Sequence, residues 1–126
     1  MRKLIKFSPV LLALLVAGCS NTLTNLTPKY QLRNANGLYP VAVSLTTRQQ
    51  SMRWQSIKPY VMVDDHAYLM RPMPYMSNRW ETLVPVPPDA SLVHYTYKVD
   101  FQYNAIPEPQ NDSLLSGPQT LRIIDR

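Results

Sequence analysis

Cysteine and glycine are scarce in this chain, which has one cysteine and three glycines in 126 residues. A lone cysteine cannot form an internal disulfide, so the fold is not one that disulfides hold together. No apolar run reaches the about 20 residues that a membrane-spanning helix needs. Proline, in contrast, is abundant with 12 residues, and this favours short strands bounded by turns over long helices.

Sequence signatures of catalysis are also missing. The chain has no G-x-S-x-G elbow, no S-x-x-K, no P-loop and no G-x-G-x-x-G, and its carboxylates are too scattered to predict an acid–base pair. His66 follows Asp64 and Asp65 in a predicted turn, but no second cluster completes a metal site. We therefore predict a protein that is not an enzyme and that binds neither a cofactor nor a metal ion.

The first 18 residues have the pattern of a secretory signal. Arg2, Lys3 and Lys6 form a basic start, and an apolar segment from Phe7 to Ala17 follows it. This segment is too short to span a bilayer. Residues 1–18 are therefore predicted to be a signal peptide that takes no part in the fold.

The signal ends in Leu15-Val16-Ala17-Gly18-Cys19, which closely resembles the lipobox of bacterial envelope lipoproteins. The resemblance implies that a diacylglycerol is attached to the sulfur of Cys19, that the chain is cut before Cys19, and that the new amino terminus is often acylated as well. A plain secretory signal and a buried cysteine are the alternatives. In that family an aspartate after the cysteine tends to retain the protein at the inner membrane, so Ser20 favours the outer membrane, with the leaflet left open.

Without the signal, the chain is a small and nearly neutral domain. Removing residues 1–18 leaves 108 of the 126 residues, and ten of the 13 basic residues then face eight acidic ones, so the formal charge falls from +5 to +2. This balance gives no reason to expect a nucleic-acid partner. Residues 19–28 are predicted to be the lipidated N-terminus and a flexible tether, and residues 29–126 to be the folded domain.

Alternation of apolar and polar residues predicts an all-β domain. In Val93–Tyr103 every second residue is apolar, which is typical of a half-buried antiparallel strand. Further strands are predicted at 38–46, 57–63, 67–71, 79–86 and 120–125, with loops at 72–78 and 104–118. About seven strands indicate a small antiparallel β-sandwich similar to immunoglobulin-like and fibronectin-like domains, and a small closed barrel is the alternative.

Two stretches favour contact with a partner. Arg53 and Trp54 lie in a polar segment between predicted strands, and Trp and Arg dominate protein interfaces. Met73 and Tyr75 lie in a loop rich in methionine and proline, which is typical of adaptable contact surfaces. We therefore expect a non-catalytic, lipid-anchored subunit or binding module of a larger membrane-associated assembly, with an envelope protein as partner.

Two other functions remain open at this stage. The segment 79–87 with the later run 95–98 is similar to starch- and glycogen-binding sandwich modules, which implies that Trp54 or Trp80 stacks on sugar rings. Trp80 shares a face with Val84 and Val86, however, so a place in the core is the alternative. The second function is copper(I) binding by the thioethers of Met70, Met73 and Met76, because soft ligands select that ion.

Overall fold

The computed structural model describes residues 21–125, and within that range every regular element is a strand. Two sheets pack face to face, so the predicted all-β sandwich of the immunoglobulin-like class is confirmed. There are ten strands in this range, instead of about seven. They are β1 (Asn21–Asn25), β2 (Tyr30–Leu32), β3 (Leu38–Thr47), β4 (Met52–Val63), β5 (His66–Leu69), β6 (Arg71–Pro72), β7 (Arg79–Pro85), β8 (Leu92–Tyr103), β9 (Gln110–Leu115) and β10 (Gln119–Ile124).

The four-stranded sheet has the order β1-β3-β7-β6, and the six-stranded sheet has the order β2-β10-β8-β4-β5 with β9 also paired to β8. The pairs are antiparallel except for β2 and β10, which run parallel, so the expectation of a purely antiparallel fold is wrong at this edge. Strand β8 is the centre of its sheet. Its first residues pair with β10 and its later residues with β9 along one side, while β4 follows its other side.

The core forms where the apolar faces of β3, β7 and β8 meet. The alternation in β8 is confirmed, because Val93, Tyr95, Tyr97, Val99 and Phe101 are all buried. The opposing sheet contributes buried side chains at Tyr39, Val41, Val43, Leu45, Trp80 and Val84. Trp80 is 5% exposed, which confirms the alternative that placed it in the core.

The expected tether is wrong over residues 21–25. These residues form β1, which pairs with β3 from Asn21 opposite Thr47 to Asn25 opposite Val43. The sequence NTLTN has no alternation of apolar and polar residues that would predict a strand, because Asn and Thr occupy both faces and Leu23 is its one apolar residue. Leu23 packs against the core, so the first strand of the sandwich begins two residues after Cys19.

Two further strands differ from the expectation. The predicted loop 104–118 contains β9, which pairs with residues 98–103 of β8. Its sequence QNDSLL is mostly exposed, so the sheet edge leaves no apolar pattern there. Strand β4 begins at Met52 and not at residue 57, with a shift of register against β8 between Arg53 and Lys58.

One end of the sandwich contains the start of β1, and we call it the Asn21 end. The Asn21 side chain donates a hydrogen bond to Gln49 Oε1 at 3.1 Å, in the turn between β3 and β4. That turn also holds the β8–β9 loop, because the Asn104 amide donates to the Ser51 carbonyl at 2.8 Å. The β6–β7 loop joins them through Asn78, whose carbonyl accepts from the Leu45 amide at 2.9 Å. Three connections and the start of β4 therefore surround the start of the first strand.

A partly buried polar network fixes the other end of β1. The Tyr97 hydroxyl donates to Asn25 Oδ1 at 2.6 Å and lies 3.0 Å from Thr27 Oγ1. The Asn25 amide in turn donates to the Tyr95 hydroxyl at 3.0 Å and to Gln119 Oε1 at 3.2 Å. Burial raises the pKa of the Tyr97 hydroxyl, since an ionised phenolate is poorly solvated there. The network ties β1 of one sheet to β8 and β10 of the other.

Candidate functional site

The predicted contact residues all lie at the Asn21 end of the sandwich. Arg53 and Trp54 are near the start of β4, and Met73 and Tyr75 are in the loop between β6 and β7. Trp54 is 43% exposed and Tyr75 is fully exposed, whereas Met73 is half-buried. We call this group, together with Met76, the end surface. About 20 residues separate its two parts in sequence.

A shallow cavity of about 500 Å³ connects the two parts of the end surface. Trp54 lines it from β4, and Pro72 and Met76 line it from the β6–β7 segment. The buried Trp80 forms part of the same wall. Apolar and aromatic side chains therefore form a continuous contact area across two elements.

Hydrogen bonds within the β6–β7 loop determine how Tyr75 is presented. The Met73 amide donates to the Arg79 carbonyl at 2.9 Å, and the Met76 amide donates to the Met73 carbonyl at 3.2 Å. Tyr75 has a φ of 64°, which is uncommon for a residue other than glycine. The loop is thus a tight turn with the Tyr75 side chain in solvent.

Arginine side chains give the Asn21 end a positive character. Arg48 lies in the β3–β4 turn, Arg53 in β4 and Arg79 at the start of β7, while Glu108 lies in the β8–β9 loop. Arg53 Nη1 donates a long hydrogen bond of 3.5 Å to Asn104 Oδ1. Its Nε is buried without a partner among the described residues, so this guanidinium keeps donor capacity.

The opposite end of the sandwich is more acidic. Asp64 and Asp65 form the β4–β5 turn and Asp89 lies in the β7–β8 loop. Arg33 and Asp125 form an ion pair of 2.5 Å there, and this hydrogen bond raises the pKa of Arg33. The two ends of the domain therefore differ in the sign of their charge.

The three methionines proposed as copper ligands do not share one surface. Met70 is 3% exposed and belongs to the core, whereas Met76 is 43% exposed in the loop. Within residues 21–125 no cluster of three or more His, Cys, Asp or Glu side chains is placed to hold a metal ion. The thioethers of the three methionines are therefore divided between the core and the surface and do not form one set of copper ligands.

The tryptophans are divided in the same way. Trp80 is buried, so of these two side chains only Trp54 presents a face to solvent. Glycan modules that stack on adjacent sugars need a second exposed aromatic group beside the first. Tyr75, in the neighbouring β6–β7 loop, is an exposed aromatic residue of this kind.

Sequence reasoning missed a cavity of about 550 Å³ near the acidic end. His66 and Tyr68 of β5 stack with ring centroids 6.2 Å apart, and both line it. Val63, Pro87 and Ala90 are among its apolar lining residues. The β7–β8 loop supplies one wall about 20 residues after β5, so only the tertiary fold brings the walls together. The period-two spacing of His66 and Tyr68 was the available signal that they share a face.

A polar groove of about 640 Å³ crosses the outer face of the six-stranded sheet. Lys58, Lys98 and Asp100 line it. Lys98 Nζ lies 3.8 Å from Asp100 Oδ1, and Asp100 also accepts a hydrogen bond of 2.7 Å from the Ser113 hydroxyl. Its carboxylate is thus already occupied by partners within the sheet.

The predicted lipidation residue, Cys19, lies outside the described residues, as does the predicted signal peptide 1–18. Only Ser20 separates Cys19 from Asn21, the first residue of β1. Two residues of extended chain span at most about 7 Å. Cys19 is therefore separated from the Asn21 end by a very short length of chain.

No helix within residues 21–125 is long and apolar enough to cross a bilayer. No protein-family model matches this chain, and neither the curated proteins nor the solved structures contain one with significant similarity to it.

Proposed function

We propose that this protein is a lipid-anchored, non-catalytic lipoprotein of the bacterial envelope, attached to its membrane through Cys19. One observation carries the proposal: the sequence LVAGC ends two residues before the first strand of a folded domain. A lipobox has its cysteine at the junction between a signal and a mature domain. The first strand begins two residues after Cys19, and this supports a junction at that cysteine.

The chemistry of the anchor follows from the sulfur. A cysteine thiolate is the nucleophile that accepts the diacylglycerol, and the small residues Ala17 and Gly18 leave the backbone accessible to the enzymes that modify and cut it. Each buried methylene contributes about 0.8 kcal/mol, so two or three acyl chains hold a protein at a membrane durably. Ser20 supports the outer membrane as the destination.

A binding role for the domain is supported by the side chains that line the cavity near its acidic end. The cavity beside His66 lies at the end of the sandwich opposite Asn21, and its lining is mainly apolar. Asp64, His66 and His94 add polar, ionisable side chains to its lining. We therefore propose that the domain serves as an accessory subunit or contact module of a membrane-associated assembly.

The anchor is tested by fractionating cells that express the wild-type chain or Cys19→Ala. The wild type is expected in the membrane fraction with incorporated fatty acid, and the variant is expected as a longer, unacylated precursor. Ser20→Ala is the matched control and should keep the fatty acid, because it changes the neighbouring residue and leaves the thiol. Normal processing and membrane retention of Cys19→Ala would refute the proposal.

The subunit role is tested separately by purifying the wild-type protein from membranes in mild detergent. A subunit is expected to elute with a partner in fixed stoichiometry. A protein that elutes alone at every detergent concentration, while still acylated, would refute the subunit role and leave the anchor in place.

A further inference from the structure

We propose that the end surface lies against the bilayer together with Ile106 of the β8–β9 loop. Trp54, Tyr75, Met76 and Ile106 then lie in the headgroup region of the membrane. This inference rests on the proposed lipidation of Cys19 and names what the end surface contacts. The occupant is the lipid surface that holds the acyl chains, and not a protein partner.

The length of chain between lipid and domain sets the orientation. Asn21 is held in β1 by its pairing with Thr47 and by its hydrogen bond to Gln49. Since Cys19 is at most about 7 Å from Asn21, acyl chains on its sulfur bring the Asn21 end to the membrane. A domain on a flexible tether could turn freely, but β1 takes up the residues that were expected to form one.

The side chains at this end suit an interface between water and lipid. Tyr75 and Ile106 are fully exposed, and they are the two most exposed of the large apolar side chains in residues 21–125. Trp54 and Met76 are each 43% exposed and line one shallow cavity, and Met76 directly follows Tyr75 in the β6–β7 loop. Tryptophan and tyrosine are enriched where headgroups meet acyl chains, because their rings are apolar with a polar edge.

Ile106 reaches this end from a third element. It lies in the β8–β9 loop, two residues after Asn104, which hydrogen-bonds to both Ser51 and Arg53. The apolar groups thus come from β4, the β6–β7 loop and the β8–β9 loop, all around the start of β1. A single exposed hydrophobic residue needs no explanation, but four such residues around the anchor point do.

Charge favours the same orientation. Arg48, Arg53 and Arg79 are at the Asn21 end, where they outnumber the acidic Glu108 of the β8–β9 loop. The surplus of basic side chains is attracted to anionic headgroups. Asp64 and Asp89 are at the far end, where they stay away from the negative surface. A bilayer also leaves little room for a protein of domain size at the Asn21 end, which is why a lipid surface is the better occupant.

The test places tryptophan reporters at the two ends of the full-length lipidated protein. It is reconstituted into vesicles of phosphatidylethanolamine and phosphatidylglycerol that contain lipids brominated near the headgroup. In the wild type we expect Trp54 emission to shift to shorter wavelength and to be quenched by bromine. Trp54→Phe should lose most of this quenching, because Trp80 lines the same cavity but is only 5% exposed.

Two double variants give a matched comparison. Trp54→Phe with Tyr75→Trp reports on the Asn21 end, and Trp54→Phe with Leu92→Trp reports on the far end, where Leu92 is 44% exposed at the start of β8. We expect several-fold stronger quenching for the reporter at position 75. Equal quenching of both reporters in protein that floats with the vesicles would overturn the orientation and leave the lipid anchor standing. Protein that does not float at all would refute the anchor and the orientation together.

Discussion

The Tyr97 hydroxyl donates a 2.6 Å hydrogen bond to Asn25 Oδ1, and this bond links the first strand of one sheet to the central strand of the other. This bond is partly buried, lies next to Thr27 and is the shortest contact of its network. The first strand is therefore held by side-chain bonds at its end as well as by backbone pairing along its length.

Tyr97→Phe is expected to lower the free energy of unfolding by about 1–3 kcal/mol, because Asn25 Oδ1 and Thr27 lose a buried partner. Urea denaturation followed by fluorescence measures this. Tyr30→Phe is the matched control at a position that is 60% exposed, and it should change stability by less than about 0.5 kcal/mol. Equal stability of the two variants would contradict the role of the network.

Alkaline pH should weaken the fold through the same residue. Burial raises the pKa of Tyr97 in the folded state above the ordinary value of about 10. Its stabilising contribution is thus complete below that pH and is lost as the pH rises towards the folded pKa, by about 1.4 kcal/mol per pH unit for this group. Unfolding measured from about pH 8 to about pH 11 should show the wild type losing its advantage over Tyr97→Phe above about pH 10. An advantage that stays constant over this range would contradict the raised pKa.

The two tryptophans should differ sharply when each is replaced by alanine. Trp80→Ala leaves a cavity in the core and is expected to cost about 3–5 kcal/mol. Trp54→Ala removes an exposed side chain and should cost about 0.5 kcal/mol or less. Thermal unfolding of both variants tests this, and acrylamide should quench Trp54 but not Trp80 in the intact protein. Similar losses of stability for both would show that the core is assigned wrongly.

Strand β1 should be necessary for full stability. Replacing residues 21–25 by a Gly-Ser segment of equal length removes Leu23 from the core and Asn25 from its network. We expect a loss of at least about 2 kcal/mol. The control replaces exposed Thr22 and Thr24 by serine and should have little effect. Unchanged stability of the Gly-Ser variant would mean that these residues act as a tether after all.

Alternation predicted the centre of the fold well and its edges poorly. Strands β3 and β8 bury every second side chain, so the alternation of apolar and polar residues in their sequences identifies the buried positions directly. Strands β1 and β9 are edge strands with the sequences NTLTN and QNDSLL, and their partners in space supply the stability that their own composition does not. The parallel pairing of β2 with β10 joins residues about 90 positions apart, and no local pattern encodes it.

The sequence identified the residues of the candidate site by their type, but it did not predict that they lie on one surface. Arg53, Trp54, Met73 and Tyr75 stand out as arginine, aromatic and methionine residues in polar or proline-rich segments. Their meeting at one end depends on β4 starting at Met52 and on the turn of the β6–β7 loop. Met70 belongs to the same sequence run but is buried, because it follows β5 into the core.

The most direct test of the lipid anchor is the mass of the first tryptic peptide from protein extracted from bacterial membranes. Cleavage after Lys29 should release a peptide that begins at Cys19 and carries a thioether-linked diacylglycerol. A peptide that begins elsewhere, or one in which Cys19 is an unmodified thiol, would contradict the account.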